Sequence, residues 1–283
     1  MLKRLLRSLA ILISLTDGLQ AQVKEPFFFI QASDPQFGMY AADQDFEQET
    51  ANFEFAIATV NRLRPAFLIV TGDLVNKAGD PGEVAEYRRI AAKLDTSIPL
   101  YNVAGNHDLG NQPTPASLAE YRRRFGPDYY SFRVGRTAFF VLNSAIIYAP
   151  QNVPDELNRQ EAWLREQLEK AKSDGMRQLV VIQHHSWFIK APDEKDQYEN
   201  IPRERRDRYL ALLHGYGVTH VFAGHYHRNA VAKDGPLEMV TTGAVGKPLG
   251  NDRSGLRVVM VRETGLEHRY YDLGALPNRI VPR

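Results

Sequence analysis

Gly105-Asn106-His107-Asp108 stands directly after the apolar run Leu100-Tyr101-Asn102-Val103-Ala104, and that junction decides the fold class. A short apolar run reads as a buried strand, and the abrupt switch to glycine, amide, imidazole and carboxylate reads as the strand's end. The same junction recurs along the chain. Residues 27–31 run into Asp34-Pro35-Gln36, residues 66–71 into Gly72-Asp73, residues 178–183 into His184-His185, and residues 218–223 into Gly224-His225-Tyr226-His227. Helix-period stretches at 46–63 and 83–94 separate the first three runs. Such alternation argues for parallel pairing, and parallel strands bring their C-terminal ends to one edge, where ligands bind in open α/β sheets. Five polar strand ends therefore converge on one crevice.

The second half changes character. Residues 129–134 and 137–143 flank Gly135-Arg136, an antiparallel hairpin, and helices are expected at 158–172 and 203–214. Strand-like segments at 237–242, 256–261 and 267–272 follow one another with no helix between them. A βαβ half joined to a strand-rich half gives an α/β sandwich of two packed sheets with helices outside. Nothing resembling a repeat or a Gly/Ser linker interrupts residues 25–273, which reads as one domain followed by a tail at 274–283. The polar stretch at 190–200 reads as a solvated loop or, from its place after a candidate ligand strand, a substrate-facing one.

With 283 residues, 43% of them hydrophobic, the chain can bury one large core or two modest ones. A formal net charge of +1 gives no basic stripe for a nucleic-acid partner. The chain has no cysteine, which excludes disulfides, thiolate zinc sites and a cysteine nucleophile. Any metal must then be held by His, Asp, Glu, Asn or Gln, a donor set suited to hydrolysis over redox chemistry. Residues 1–21 carry a basic start (Lys3, Arg4, Arg7), a short apolar run (Leu9 to Leu15) and a small residue, Ala21, the pattern of an export signal too short to span a membrane. Export to the periplasm or outside the cell is the expectation. A cytoplasmic chain or an uncleaved N-terminal anchor is the alternative, and no stable membrane span is expected in the mature chain.

The crevice suits two divalent cations. Metals roughly 3.5–4 Å apart repel and need a bridging anion, which a carboxylate such as Asp73 supplies. Imidazole and amide ligands are neutral, so with Asp34 and Asp73 as the anions a formal surplus of roughly +2 remains for a phosphate ester. The glycines before Asp73, Asn106 and His225 are expected to let the backbone turn sharply. Each piece alone has an ordinary reading: an Asx turn at Asp34, a loop start at Gly72-Asp73, a structural histidine at 184 or 185. Their ordered recurrence at five strand ends carries the inference.

Asp34-x-Gln36, Gly72-Asp73, Gly105-Asn106-His107-Asp108, His184 and Gly224-His225-x-His227 together resemble the calcineurin-like metallophosphoesterase superfamily, over about residues 26–273. Several longer runs, such as ASDPQFG, IQHHSWF and GHYHRNA, resemble a protein-phosphatase branch of it. The resemblance implies a four-layer α-β-β-α sandwich with two mixed sheets. It places Asp34, Gln36, Asp73 and His227 around one metal and Asp73, Asn106, His184 and His225 around the other, the metals drawn from Mn, Fe, Zn and Mg. It makes His107 a non-ligating histidine beside the leaving group, oriented by Asp108, that protonates the leaving oxygen or stabilises its developing charge. Gln36 departs from the histidine usual in the superfamily, which puts first-site affinity in question. His185, Tyr226 and Arg228 are expected near substrate, with Asn143-Ser144 and Trp187 also near the metals. The implied reaction is hydrolysis of a phosphate monoester, of a phosphoprotein among others, by a metal-activated hydroxide. A phosphodiesterase acting on cyclic nucleotides or glycerophosphodiesters is the alternative enzyme, and a catalytically silent binding module the alternative of another class. Oligomeric state has no sequence signature here. His214, His220 and His268 read as structural.

Overall fold

A computed structural model describes residues 25–282; the expected export signal lies outside the described residues. In chain order the elements are β1 (Phe27–Ala32), α1 (Glu47–Leu63), β2 (Leu68–Val70), α2 (Pro81–Ala91), β3 (Leu100–Asn102), α3 (Asn106–Leu109) and α4 (Pro115–Phe125). There follow β4 (Tyr130–Val134), β5 (Thr137–Val141), α5 (Ser144–Tyr148), α6 (Pro154–Ser173), β6 (Gln178–Ile182) and α7 (Arg203–Tyr216). The chain then runs through β7 (His220–Ala223), β8 (Ala230–Asp234), β9 (Leu237–Thr241), β10 (Gly255–Arg262) and β11 (Gly265–Asp272).

Two mixed sheets result, one in the order β11-β10-β1-β2-β3 and the other β4-β5-β6-β7-β9-β8. Strand alternation explains how they stack, since successive side chains point to opposite faces. Phe27 and Phe29 face inward with Ile69, Val141, Val180, Ile182 and Phe222 to form the core between the sheets. Phe28 and Ile30 face outward onto Phe53, Ile57 and Val60 of α1. On the far side, Phe140 and Val181 pack against Leu164 and Leu168 of α6 and Leu213 of α7. Three apolar layers thus separate four layers of secondary structure, the α-β-β-α sandwich.

The last strands depart from the sequence pattern. β10 and β11 do not extend the second sheet but cross back, β10 pairing antiparallel with β1 at Phe27↔Val261. The strand-rich half is itself mixed, with β5, β6, β7 and β9 parallel. α4 falls where no element was expected, although Thr114 caps it reciprocally with Ser117 and Pro115 opens it, a start signal in sequence.

Candidate metal centre

The parallel strands β1, β2 and β3 of one sheet and β6 and β7 of the other end at the same edge, and their following residues interlock. The Asp34 carboxylate accepts from the His225 backbone N–H (3.2 Å), the His107 N–H donates to Asp73 Oδ1 (2.9 Å), and His184 Nδ1 donates to Thr71 O (2.8 Å). Loops far apart in sequence are thereby tied across both sheets.

Two groups of ligand atoms emerge, each gathered within 4.8 Å: Asp73, His184 and His225, and Asp34, Asp73 and His227, all buried. Asp73 belongs to both. Asn106 joins the first group, its Oδ1 lying 3.0 Å from His184 Nε2. Gln36 donates through Nε2 to Asn76 Oδ1 (2.9 Å), while its Oε1 is buried with no hydrogen-bond partner. A buried acceptor left bare costs about 1–3 kcal/mol, and a cation is what such an oxygen can serve.

Three of the imidazoles are each held by a backbone carbonyl. A carbonyl oxygen only accepts, so the ring nitrogen facing it carries hydrogen, and the other nitrogen is the one that can offer a lone pair once any second proton has left. Thr71 O fixes His184 in this way, Lys247 O fixes His227 (2.6 Å from Nδ1) and Tyr198 O fixes His225 (2.9 Å from Nε2). Among the described residues, the ion-pair partners of Asp34 and Asp73 are histidines alone. Burial raises the Asp73 carboxyl, but the surrounding imidazoles, His184 first, outweigh it and hold the group below the usual carboxylate range. For His184 burial opposes protonation, yet Asp73 and Asp34 overcome it and hold the ring up at about 9. Burial and then His184 push His225 down to about 4. Buried carboxylates with no lysine or arginine partner, a bare amide oxygen and ring nitrogens aimed inward fit divalent cations.

Backbone conformation points the same way. Of the eight non-glycine residues with positive φ among the described residues, five are Asp34 (49°), Gln36 (38°), Asp73 (47°), His225 (68°) and His227 (53°). Left-handed backbone at non-glycine residues costs about 1–3 kcal/mol each and persists where the surroundings over-determine it, commonly at functional sites. Two of the three glycines, Gly105 and Gly224, act differently from the sharp turns expected. Gly105 has φ −103°, ordinary backbone, but a Cβ there would stand 2.2 Å from Asp73 N and Oδ1. At Gly224 it would stand 1.9 Å from Ser33 Oγ. Both positions need glycine for close approach of one ligand loop to another; only Gly72, of the three, has positive φ (+87°).

Several residues depart from their expected places. Asp108 does not orient His107: its carboxylate accepts from the backbone N–H groups of Leu74 (2.8 Å), Val75 (3.2 Å) and Gly105 (2.8 Å), tying the loop after β2 to the loop after β3. Burial and then Asp73 push its carboxyl up. His107 is instead held by Nδ1 on Asn76 O (2.6 Å). His185, expected near substrate, lies beside the candidate ligand His225, ring centroids 4.3 Å apart. It is buried, stacked on Tyr148 (4.9 Å) and bonded through Nδ1 to Ser144 Oγ (3.0 Å), and burial, then His225, hold its ring well below the usual imidazole range. Trp187 is fully buried against Tyr209 (ring centroids 5.0 Å apart), in the core under α7. Ser144 does sit beside the centre, its hydroxyl accepting from the His184 and His185 amides. Tyr226 and Arg228 stay near the surface, the guanidinium over the Tyr226 ring at 5.4 Å. His214 and His268 pair with Asp234 and Glu238, away from the ligand groups.

Tyr198 escaped sequence reasoning. It lies in the polar 190–200 loop, its hydroxyl accepts from Asn106 Nδ2 (3.1 Å), and its ring lies 4.7 Å from that of His225. An aromatic within an otherwise polar loop was the one available signal.

The calcineurin-like phosphoesterase family matches residues 29–229. Serine/threonine-protein phosphatase CPPED1 of Danio rerio is 37% identical over 280 residues, covering 94% of this chain and 91% of the relative. Its Bos taurus counterpart is 39% identical over 271 residues, 90% of this chain and 87% of the relative. Among solved structures, a dimetal phosphatase from Danio rerio superposes with a TM-score of 0.62 at 14% identity, covering 88% of this chain and all (100%) of that one, a likeness of fold.

Proposed function

The chain belongs to the calcineurin-like phosphoesterase family, and from that premise we propose that it is a phosphatase hydrolysing phosphate monoesters at a centre of two divalent cations. The carrying observation is that Asp73 belongs to both ligand groups, the position a bridging carboxylate must occupy. Asp34, Gln36, Asp73 and His227 would hold one cation, and Asp73, Asn106, His184 and His225 the other. Bound there, the pair would supply positive charge to phosphate oxygens and lower the pKa of a water. Carboxylate, imidazole and amide donors accept manganese, iron, zinc or magnesium, and the amide of Gln36 makes its position the harder and weaker one.

The remaining work falls to the chain. The Asn76 carbonyl fixes the His107 tautomer with hydrogen on Nδ1, leaving Nε2 to carry a proton to the leaving oxygen. Asp108 holds the two loops that bear Asp73 and Asn106. The serine/threonine phosphatase relatives support a monoester substrate, phosphoproteins included. Rates on p-nitrophenyl phosphate and bis(p-nitrophenyl) phosphate, measured on manganese-loaded protein, test the reading. The monoester should turn over faster, and a faster diester would overturn the assignment.

A further inference from the structure

The 190–200 loop is built as a rigid platform. The Glu194 carboxylate accepts from the backbone N–H groups of Ile189 (2.7 Å) and Lys190 (2.8 Å) and from Asn200 Nδ2 (2.7 Å). Arg206, fully buried, donates to three carbonyls, Ile201 (3.0 Å), Pro192 (2.9 Å) and Glu194 (2.8 Å), and pairs with the Asp196 carboxylate (3.4 Å). A buried cation whose partners all come from one loop fixes that loop's shape. What the platform presents is Tyr198, 51% exposed.

The phenol is held from one side. Asn106 Nδ2 uses its two hydrogens on Asn111 Oδ1 (2.8 Å) and on the Tyr198 hydroxyl (3.1 Å), which turns Asn106 Oδ1 inward onto His184. The Tyr198 oxygen is therefore an acceptor from Asn106, and among the described residues its own proton has no acceptor. An O–H donor held beside a candidate ligand, on a half-exposed residue, is within reach of a group that approaches that ligand from solvent.

We propose that Tyr198 is a substrate-binding residue whose hydroxyl donates to a non-bridging oxygen of the phosphoryl group while its ring walls the entrance over His225. This rests on the phosphoesterase reading above. It assigns the 190–200 loop to phosphate recognition rather than to solvent.

The test is Tyr198→Phe in the full chain loaded with manganese, since the phenylalanine keeps the ring, the backbone carbonyl on His225 and the loop's anchors. Inorganic phosphate is titrated calorimetrically into parent and variant, metal content is measured, and KM and kcat are taken with p-nitrophenyl phosphate. Metal content should be unchanged, while Kd for phosphate and KM rise together by about tenfold, the worth of one hydrogen bond to a charged oxygen. Unchanged phosphate affinity at full metal content would overturn the inference. So would loss of metal from the variant, which would make Tyr198 a support of the centre and not a substrate contact. If the parent binds phosphate but hydrolyses no ester, the hydrolytic reading fails, and the phosphate titration still decides the role of Tyr198.

Discussion

Asp108→Asn separates two roles for a carboxylate beside the centre. In the structure Asp108 Oδ1 accepts from Leu74 and Val75, and Oδ2 accepts from Gly105. Asparagine keeps one oxygen for the first pair but turns an NH2 toward the Gly105 N–H. A buried donor left unpaired costs about 1–3 kcal/mol, and each remaining bond loses its charge assistance, about 1 kcal/mol apiece. Removing a buried anion next to Asp73 offsets part of this, leaving a net destabilisation of about 2–3 kcal/mol. Because Leu74 follows Asp73 and Gly105 precedes Asn106, the same change loosens two loops that carry candidate ligands. Urea unfolding of the variant should show the loss, and metal content and turnover should fall together. A variant with parental stability and full metal that nonetheless loses turnover would refute this, and would return Asp108 to the role of orienting His107.

His107→Ala should keep its metals and lose turnover by about 10²–10⁴-fold, read from steady-state rates at matched metal content; parental rates would remove His107 from the chemistry. Gly224→Ala drives a Cβ to 1.9 Å from Ser33 Oγ and 2.6 Å from Asp34 Oδ2, so the protein should lose metal from the Asp34 side and about 1–3 kcal/mol of stability, seen by metal analysis and thermal unfolding. His184 carries the pH dependence: its folded value of about 9 lies above the ordinary 6.5 in the metal-free chain, against burial and through Asp73 and Asp34. Its protonated form therefore stabilises the metal-free fold fully below about 6.5, and that contribution is lost as pH climbs through about 9. A cation must displace that proton, so metal affinity should rise with pH up to about 9, with proton release at pH 7 measurable by calorimetry in buffers of different ionisation heat. Binding without proton release would contradict it.

The strand ends were legible because burial writes itself as short apolar runs, and Asp34, Asp73, Asn106, His184 and His225 each follow one. The roles of their neighbours were not. Asp108 is bonded to backbone amides more than thirty residues upstream, and a backbone donor has no sequence signature. Gly105 and Gly224 look like turn glycines in sequence, whereas what they provide is room for a loop from elsewhere in the chain. His185 stands next to His184 in sequence but packs on Tyr148, Ser144 and His225, a choice made by packing. The pairing of β10 with β1 joins residues more than two hundred apart; alternation marks a strand's existence and not its neighbour. Tyr198 sits in a loop without periodicity, where only the fold reveals what it faces.

Metal stoichiometry of the natively purified chain and of Asp73→Ala tests the two-metal account most directly. Two equivalents are expected in the parent, and because Asp73 serves both ligand groups, the variant should retain neither tightly. A parent that binds a single equivalent, or a variant that keeps one at parental affinity, would contradict the shared-carboxylate centre.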